Sequence, residues 1–144
     1  MSEISISKGP SEHLSWTELA CKDGTPYPDT FIKDGRIFDL AVVFEDIRNL
    51  WKKPIIIHSA YRTHAHNLKI GGANDSQHLH GRALDLSPPD KIDLDTFYIT
   101  IKRNAFEFGI KGLGLYKTFV HVDIRLNTTR LVTWSGIGAK DSLT

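Results

Sequence analysis

The sequence reads as an α+β fold, a single domain over residues 1–144 with a mainly antiparallel sheet flanked by helices. Three observations predict it. Two long helical patterns are separated by short β-rich runs, and the last third of the chain carries three short strand patterns broken by turn residues. No internal repeat, low-complexity segment or linker divides the 144 residues, a length that can bury one core without staples.

Each element has a local reason. Residues 1–13 are polar and show no period. "SWTELACKDG" offers Ser15 as N-cap with Glu18 three positions on and Gly24 as a stop, which predicts a short helix. "GTPYPDTFIKDG" holds two prolines and two glycines and reads as a surface loop. "RIFDLAVVFEDIRNLWKK" places Phe38, Ala41, Val42, Ile47 and Leu50 near helical spacing, with basic residues in the last turn, and is the main helix. Pro54 ends it, and "PIIIHSAYR" reads as a short buried strand, with His58 a core histidine inside it. Thr63 caps a short helix stopped by Gly71 and Gly72. "RALDLS" alternates like a half-buried strand and ends at Pro88 and Pro89. "DLDTFYITIKRNAFEFG" has an Asp cap, apolar Phe97, Ile101, Ala105 and Phe108, and a stop at Gly109, so a second long helix is predicted. "GLGLYK", "FVHVDIR" and "RLVTW" then read as an antiparallel meander.

Composition narrows the function classes. Lys plus Arg number 18 against 17 for Asp plus Glu, so there is no electrostatic footprint for nucleic acid or an anionic membrane. No run approaches a membrane span, and the N-terminus lacks the basic start and apolar stretch of a secretory signal. The expectation is synthesis in the cytoplasm, with action outside only after release or delivery. The lone Cys21 cannot form an internal disulfide and reads as packing on an apolar helix face, so a metal site would use His and carboxylates. The sequence carries no signal for oligomerisation, and a monomer is expected.

The strongest chemical signal is His78 with Asp85 in "NDSQHLHGRALDLS", and the question is whether His121 completes a set. Zinc takes His nitrogen and carboxylate oxygen, and a catalytic zinc usually keeps three protein ligands and an open position. The Gly-x-Ala turn after His78 lets the chain fold back and bring Asp85 near. The alternative is a solvated polar loop. His121 and Asp123 share one face of a strand whose Val120 and Val122 point into the core. They need a partner, and a metal would be one; an ordinary His–Asp pair on an exposed face is the other reading. Arg62 follows a strand end, which favours a fixed guanidinium over a surface arginine. His64 and His66 do not share a helix face and read as solvent-facing; His80 could ligate in place of His78 but reads as a surface residue. There is no H-E-x-x-H helix, G-x-S-x-G elbow, phosphate-binding glycine loop or CxxC pair.

These residues resemble a known family. "SQHLHGRALD" is similar to the S-x-H-x-x-G-x-A-x-D motif of the zinc D-Ala-D-Ala carboxypeptidase family, which shares its fold with the zinc domain of hedgehog proteins. "LSWTELACKDGTPYP", "HSAYRT" and "GLGLYKTFVHVDIR" with the following Trp resemble further segments of short phage-type and bacterial members, so about residues 12–134 are covered. The resemblance implies Zn2+ held by His78, Asp85 and His121, an anion-binding Arg62, and hydrolysis next to D-amino acids in peptidoglycan stem peptides. Carboxypeptidase and endopeptidase activity both stay open. Several relatives carry a catalytic Glu or Asp three residues before the last zinc histidine, or a His two before it; this sequence has Thr118 and Phe119. Asp123 is therefore expected to take the proton, with Arg62 on the oxyanion or a substrate carboxylate. Ser76, Gln77 and Tyr61 are the expected substrate contacts. A one-domain layout of this kind fits a phage lysis enzyme or a tail-associated hydrolase. A zinc-bearing wall- or protein-binding module without turnover is the alternative, because one fold and one metal site can serve recognition alone.

Overall fold

The computed structural model describes residues 8–136, so the polar reading of residues 1–7 falls outside the described residues. Among the described residues five α-helices and five strands follow one another: α1 (Trp16–Leu19), α2 (Asp29–Lys33), α3 (Arg36–Trp51), β1 (Ile56–Ser59), α4 (His64–Lys69), β2 (Ala83–Ser87), α5 (Leu94–Phe108), β3 (Gly112–Leu115), β4 (Val120–Asp123) and β5 (Val132–Ser135). The strands form one sheet in the order β1-β2-β4-β3-β5, antiparallel except for the parallel β3–β5 pair. The α+β class with a mainly antiparallel sheet is thus as the sequence predicts. No helix among the described residues is long and apolar enough to cross a membrane.

Two of the predicted caps form. Ser15 and Glu18 make a reciprocal capping box on α1, and the Thr63 hydroxyl accepts from the His66 amide at the start of α4. Other expectations need correcting. The segment 24–35 is not all loop, because Pro28 opens the short α2, and proline suits the start of a helix, where no amide partner is lost. Along α3 the buried face is Ile37, Leu40, Ala41, Val43, Phe44 and Ile47, while Phe38, Val42 and Leu50 are exposed. Asp93 occupies the cap position of α5 but makes no side-chain bond there; Asp90 instead caps the one-turn 3-10 segment ahead of it. β1 is an edge strand, so only Ile57 is buried and His58 is exposed, its Nε2 2.6 Å from Ser87 Oγ. β2 is central and buried along its whole length rather than half-buried. Cys21 is buried as expected, but it lies just past α1.

The meander is also corrected. β5 lies beside β3, not β4, because residues 124–131 are too long for a tight hairpin and carry the chain across to the far side of β3. One face of the sheet then packs against the helices. Leu84, Leu86, Leu113, Leu115, Val120 and Val122 join Phe44, Ile47, Phe97 and Ile101 in a single core. Those six sheet residues alternate with others that must point to the opposite face, and the chemistry lies there.

Candidate metal centre

Register does most of the assembly. In the β2–β4 ladder Asp85 stands opposite His121 and Ala83 opposite Asp123, so side chains from two neighbouring strands meet on one face. The third partner comes from the segment before β2. Ser76 caps a 3-10 turn over Gln77–His80, and Gly81, in the left-handed region at φ +66, turns the chain into β2. The turn is tied down by the Arg82 amide donating to Gln77 O and by the Tyr27 hydroxyl donating to Gly81 O at 2.7 Å. His78 is thereby folded back over Asp85.

β3 makes room for the rest. Gly112 stands opposite Asp123, and Gly114 stands opposite both His121 and Trp134. A Cβ at Gly112 would overlap the Asp123 carboxylate, and one at Gly114 would overlap the Trp134 ring. The "GLG" of β3 therefore alternates core leucines with gaps that admit a carboxylate and an indole.

His78 Nε2 and His121 Nδ1 each lie 3.0 Å from Asp85 Oδ1, and one atom of each of the three residues falls within 4.8 Å of the others. All three residues are buried. The outer nitrogens decide what faces inward. His78 Nδ1 lies 2.6 Å from the Ala60 carbonyl oxygen, which only accepts, so that nitrogen carries the proton. His121 Nε2 lies 2.7 Å from Asp123 Oδ2, a carboxylate, so it is the protonated one there. The inward nitrogens of neutral rings are then lone pairs aimed at a carboxylate oxygen. Three buried acceptors pointed at one another repel unless a cation lies among them. His–carbonyl and His–carboxylate bonds of this kind are what fix ring and tautomer behind a metal.

The electrostatics agree with that assignment for His78, and at His121 they favour a proton in the position a cation would take. Burial pushes His78 below the ordinary imidazole value, despite the opposing pull of Asp85, so its neutral form is favoured. Burial would lower His121 too, but its bonds to Asp123 and Asp85 outweigh it and hold it above the ordinary value. Burial works against ionisation of Asp85, yet His78 and His121 more than offset it, and the carboxyl sits well below the usual range. Asp123 is held low as well: burial opposes, and Arg125 and His121 prevail.

An open cavity leads to this cluster, with Arg62, Asp75, Ser76, Gln77, Tyr116, Arg125 and Trp134 in its lining together with His78, Asp85 and His121. Arg62 donates from Nε to Ser59 Oγ, from Nη1 to Asn67 Oδ1 and from Nη2 to Asp85 Oδ2 at 3.1 Å. It braces the carboxylate and also belongs to the cavity lining. Ser76 and Gln77 lie in the lining where substrate contacts are expected. Tyr61 does not; its ring packs edge-on against Tyr27 and Phe31. Asp123 lies behind His121, its side chain fully shielded, with Arg125 donating from Nε and Nη2 to its two oxygens. His64 is exposed, and His80 pairs with Asp75 at the surface. The sequence reading passed over Ala60, Gly112, Gly114, Tyr116, Arg125 and Trp134. Only the glycine alternation in β3 carried a signal, since a glycine within a strand marks close approach.

Comparison with known proteins gives one family. A model described as Peptidase M15 matches residues 12–123, more than half of the chain and all of the ligand cluster. No curated protein matches the chain.

Proposed function

The chain belongs to the peptidase M15 family, and from that membership and its ligand cluster we propose that it is a zinc metallopeptidase cutting peptide bonds next to D-amino acids in peptidoglycan stem peptides or cross-links. One observation carries the zinc reading: His78 Nε2, Asp85 Oδ1 and His121 Nδ1 converge in a buried site while the outer nitrogens of both rings are already bonded to acceptors. Two histidines and one carboxylate suit zinc, and peptidases of this family are zinc-dependent. The substrate class rests on the resemblance of Ser76–Asp85 to the D-Ala-D-Ala carboxypeptidase motif. It is supported by two guanidinium groups, Arg62 and Arg125, in the cavity lining, because stem peptides end in and carry carboxylates.

Zinc held by these three residues would activate water and polarise the peptide carbonyl. The chain's own groups supply the rest. Ala60 and Asp123 fix the two rings so that their lone pairs stay aimed inward. Arg62 holds Asp85 in place and offers its remaining N–H groups to a substrate carboxylate or to the carbonyl oxygen as it gains charge. In hydrolysis the water oxygen bonds to the carbonyl carbon and the C–N bond breaks. Both water protons end on the amine and the acyl fragment leaves as a carboxylate. Because Asp123 is shielded from the cavity, we assign it the positioning of His121 rather than direct proton transfer.

A second reading, a zinc-bearing binding module without turnover, is favoured by Thr118 and Phe119 standing where several relatives carry a base. The two readings separate in one experiment. Zinc-loaded protein and His78→Ala are incubated with purified peptidoglycan, and the soluble products are read by mass spectrometry. New stem-peptide fragments from the wild type alone are expected, and their masses name the bond. A zinc-loaded wild type that binds walls of several chemistries but releases nothing would establish the binding module instead.

A further inference from the structure

Tyr116 sits at the end of β3, in the same cavity lining as His78, Asp85 and His121. Three contacts fix it. Its ring stacks on Phe119 with centroids 4.5 Å apart and planes 10° from parallel. Its amide donates to Phe119 O, closing the turn into β4. Its hydroxyl accepts from Trp134 Nε1 at 2.8 Å. Gly136 completes the fit, because a Cβ there would overlap the Tyr116 ring.

The Trp134 bond fixes the polarity of the hydroxyl. An indole N–H can only donate, so the phenol oxygen is the acceptor and its own proton points elsewhere. That proton meets no acceptor among the described residues, and the side chain is half-buried at the cavity. Trp134 is itself fixed: it lies over Gly114 beside His121, ring centroids 5.2 Å apart, and the Arg125 guanidinium lies 5.1 Å from its ring. The phenol is thus a preorganised donor, oriented by the indole, whose O–H has no acceptor among the described residues. Preorganised donors of this kind act most strongly where charge develops during reaction.

We infer that the Tyr116 hydroxyl is a catalytic donor to the substrate, hydrogen-bonding the scissile carbonyl oxygen as it becomes negative, with Trp134 as its positioning residue. This rests on the peptidase reading. No bond to Tyr116 forms or breaks in the reaction, and its proton stays on the phenol. The position of the residue also fits the sequence. Tyr116 and Phe119 flank Thr118 in the stretch where relatives place acid–base groups, and here that stretch contributes an aromatic wall and a hydroxyl donor.

Tyr116→Phe keeps the ring and its stack on Phe119 and removes only the hydroxyl. Wild type, Tyr116→Phe and Trp134→Phe are compared, all zinc-loaded, for hydrolysis of a synthetic stem peptide. Inhibition by a phosphinic dipeptide, a tetrahedral mimic, and zinc affinity by chelator competition are measured in parallel. Tyr116→Phe is expected to lose about 10²-fold in kcat with little change in KM, to bind the phosphinate correspondingly more weakly, and to keep wild-type zinc affinity. Trp134→Phe, which keeps the hydroxyl but loses its anchor, is expected to fall between the two. A Tyr116→Phe protein with kcat within about two-fold of wild type, or with its loss confined to KM, overturns this inference alone. A wild type that binds zinc and cleaves nothing overturns the peptidase reading along with it.

Discussion

His78 and His121 each use one ring nitrogen on an acceptor behind them and turn the other toward Asp85. For His121 the acceptor is Asp123, which Arg125 grips with two bonds. The Asp123–His121 bond fixes the tautomer and makes the ring a better ligand, so its removal acts on the metal first. Asp123→Asn, which can no longer accept as an anion, is expected to weaken zinc binding about 10- to 100-fold in a chelator competition. Unchanged zinc affinity together with lost turnover would instead return Asp123 to the proton-accepting role read from the sequence. At this scale the convergence of His78, Asp85 and His121 was legible because metal chemistry restricts residue types, and the motif around Gly81 and Ala83 fixes the spacing of the first two. The shielding of Asp123 was not legible. Strand alternation places it on the same face as His121, but only the packing of Arg125 shows that its oxygens are occupied.

Helix ends were legible at the scale of elements, since caps are local: the Ser15–Glu18 box and the Thr63 cap both form. The buried face of α3 was not, because the helix is apolar on more than one side. Asp39 and Asp46, seven residues apart, mark the outer face, and Val42 lies beside them at 60 % exposure while Ile37, Leu40 and Phe44 face the core. The placement of β5 was hidden for a different reason: a run of turn residues shows that the chain reverses but not which strand it joins. β3 shows how an element serves the site. Gly112→Ala adds a methyl where the Asp123 carboxylate sits. It is expected to cost about 1–3 kcal/mol in denaturant unfolding and to lower zinc affinity, because the carboxylate must move from His121. A variant with wild-type stability and wild-type zinc affinity would show that the strand yields without disturbing the site.

The molecule as a whole is a sheet with two different faces. One supplies the hydrophobic core with helices α3 and α5, and the other carries polar and ionisable groups that are buried yet held by one another. Zinc would bind only the folded arrangement, so it should stabilise the fold by about 2.7 kcal/mol at a free concentration 100-fold above Kd. The pH dependence follows from the shifts. His121 is held above the ordinary value near 6.5. In the metal-free protein its contribution is therefore complete below that value and lost as pH rises through the elevated one. Asp85 and Asp123 are held low, so their contribution is present above about pH 4 and lost on acidification. Zinc bound there would replace a proton on His121. The zinc-induced rise in Tm is thus expected to be larger at pH 8 than at pH 6 in a thermal melt with and without chelator; an equal rise at both pH values would place the metal elsewhere.

If the three inward-facing acceptors hold zinc, crystals grown with zinc will show it by anomalous diffraction at the zinc edge. One strong peak is expected, enclosed by His78 Nε2, Asp85 Oδ1 and His121 Nδ1, about 2.0–2.2 Å from each. A zinc peak ligated by other groups, or none among these three residues in zinc-grown crystals, would contradict it.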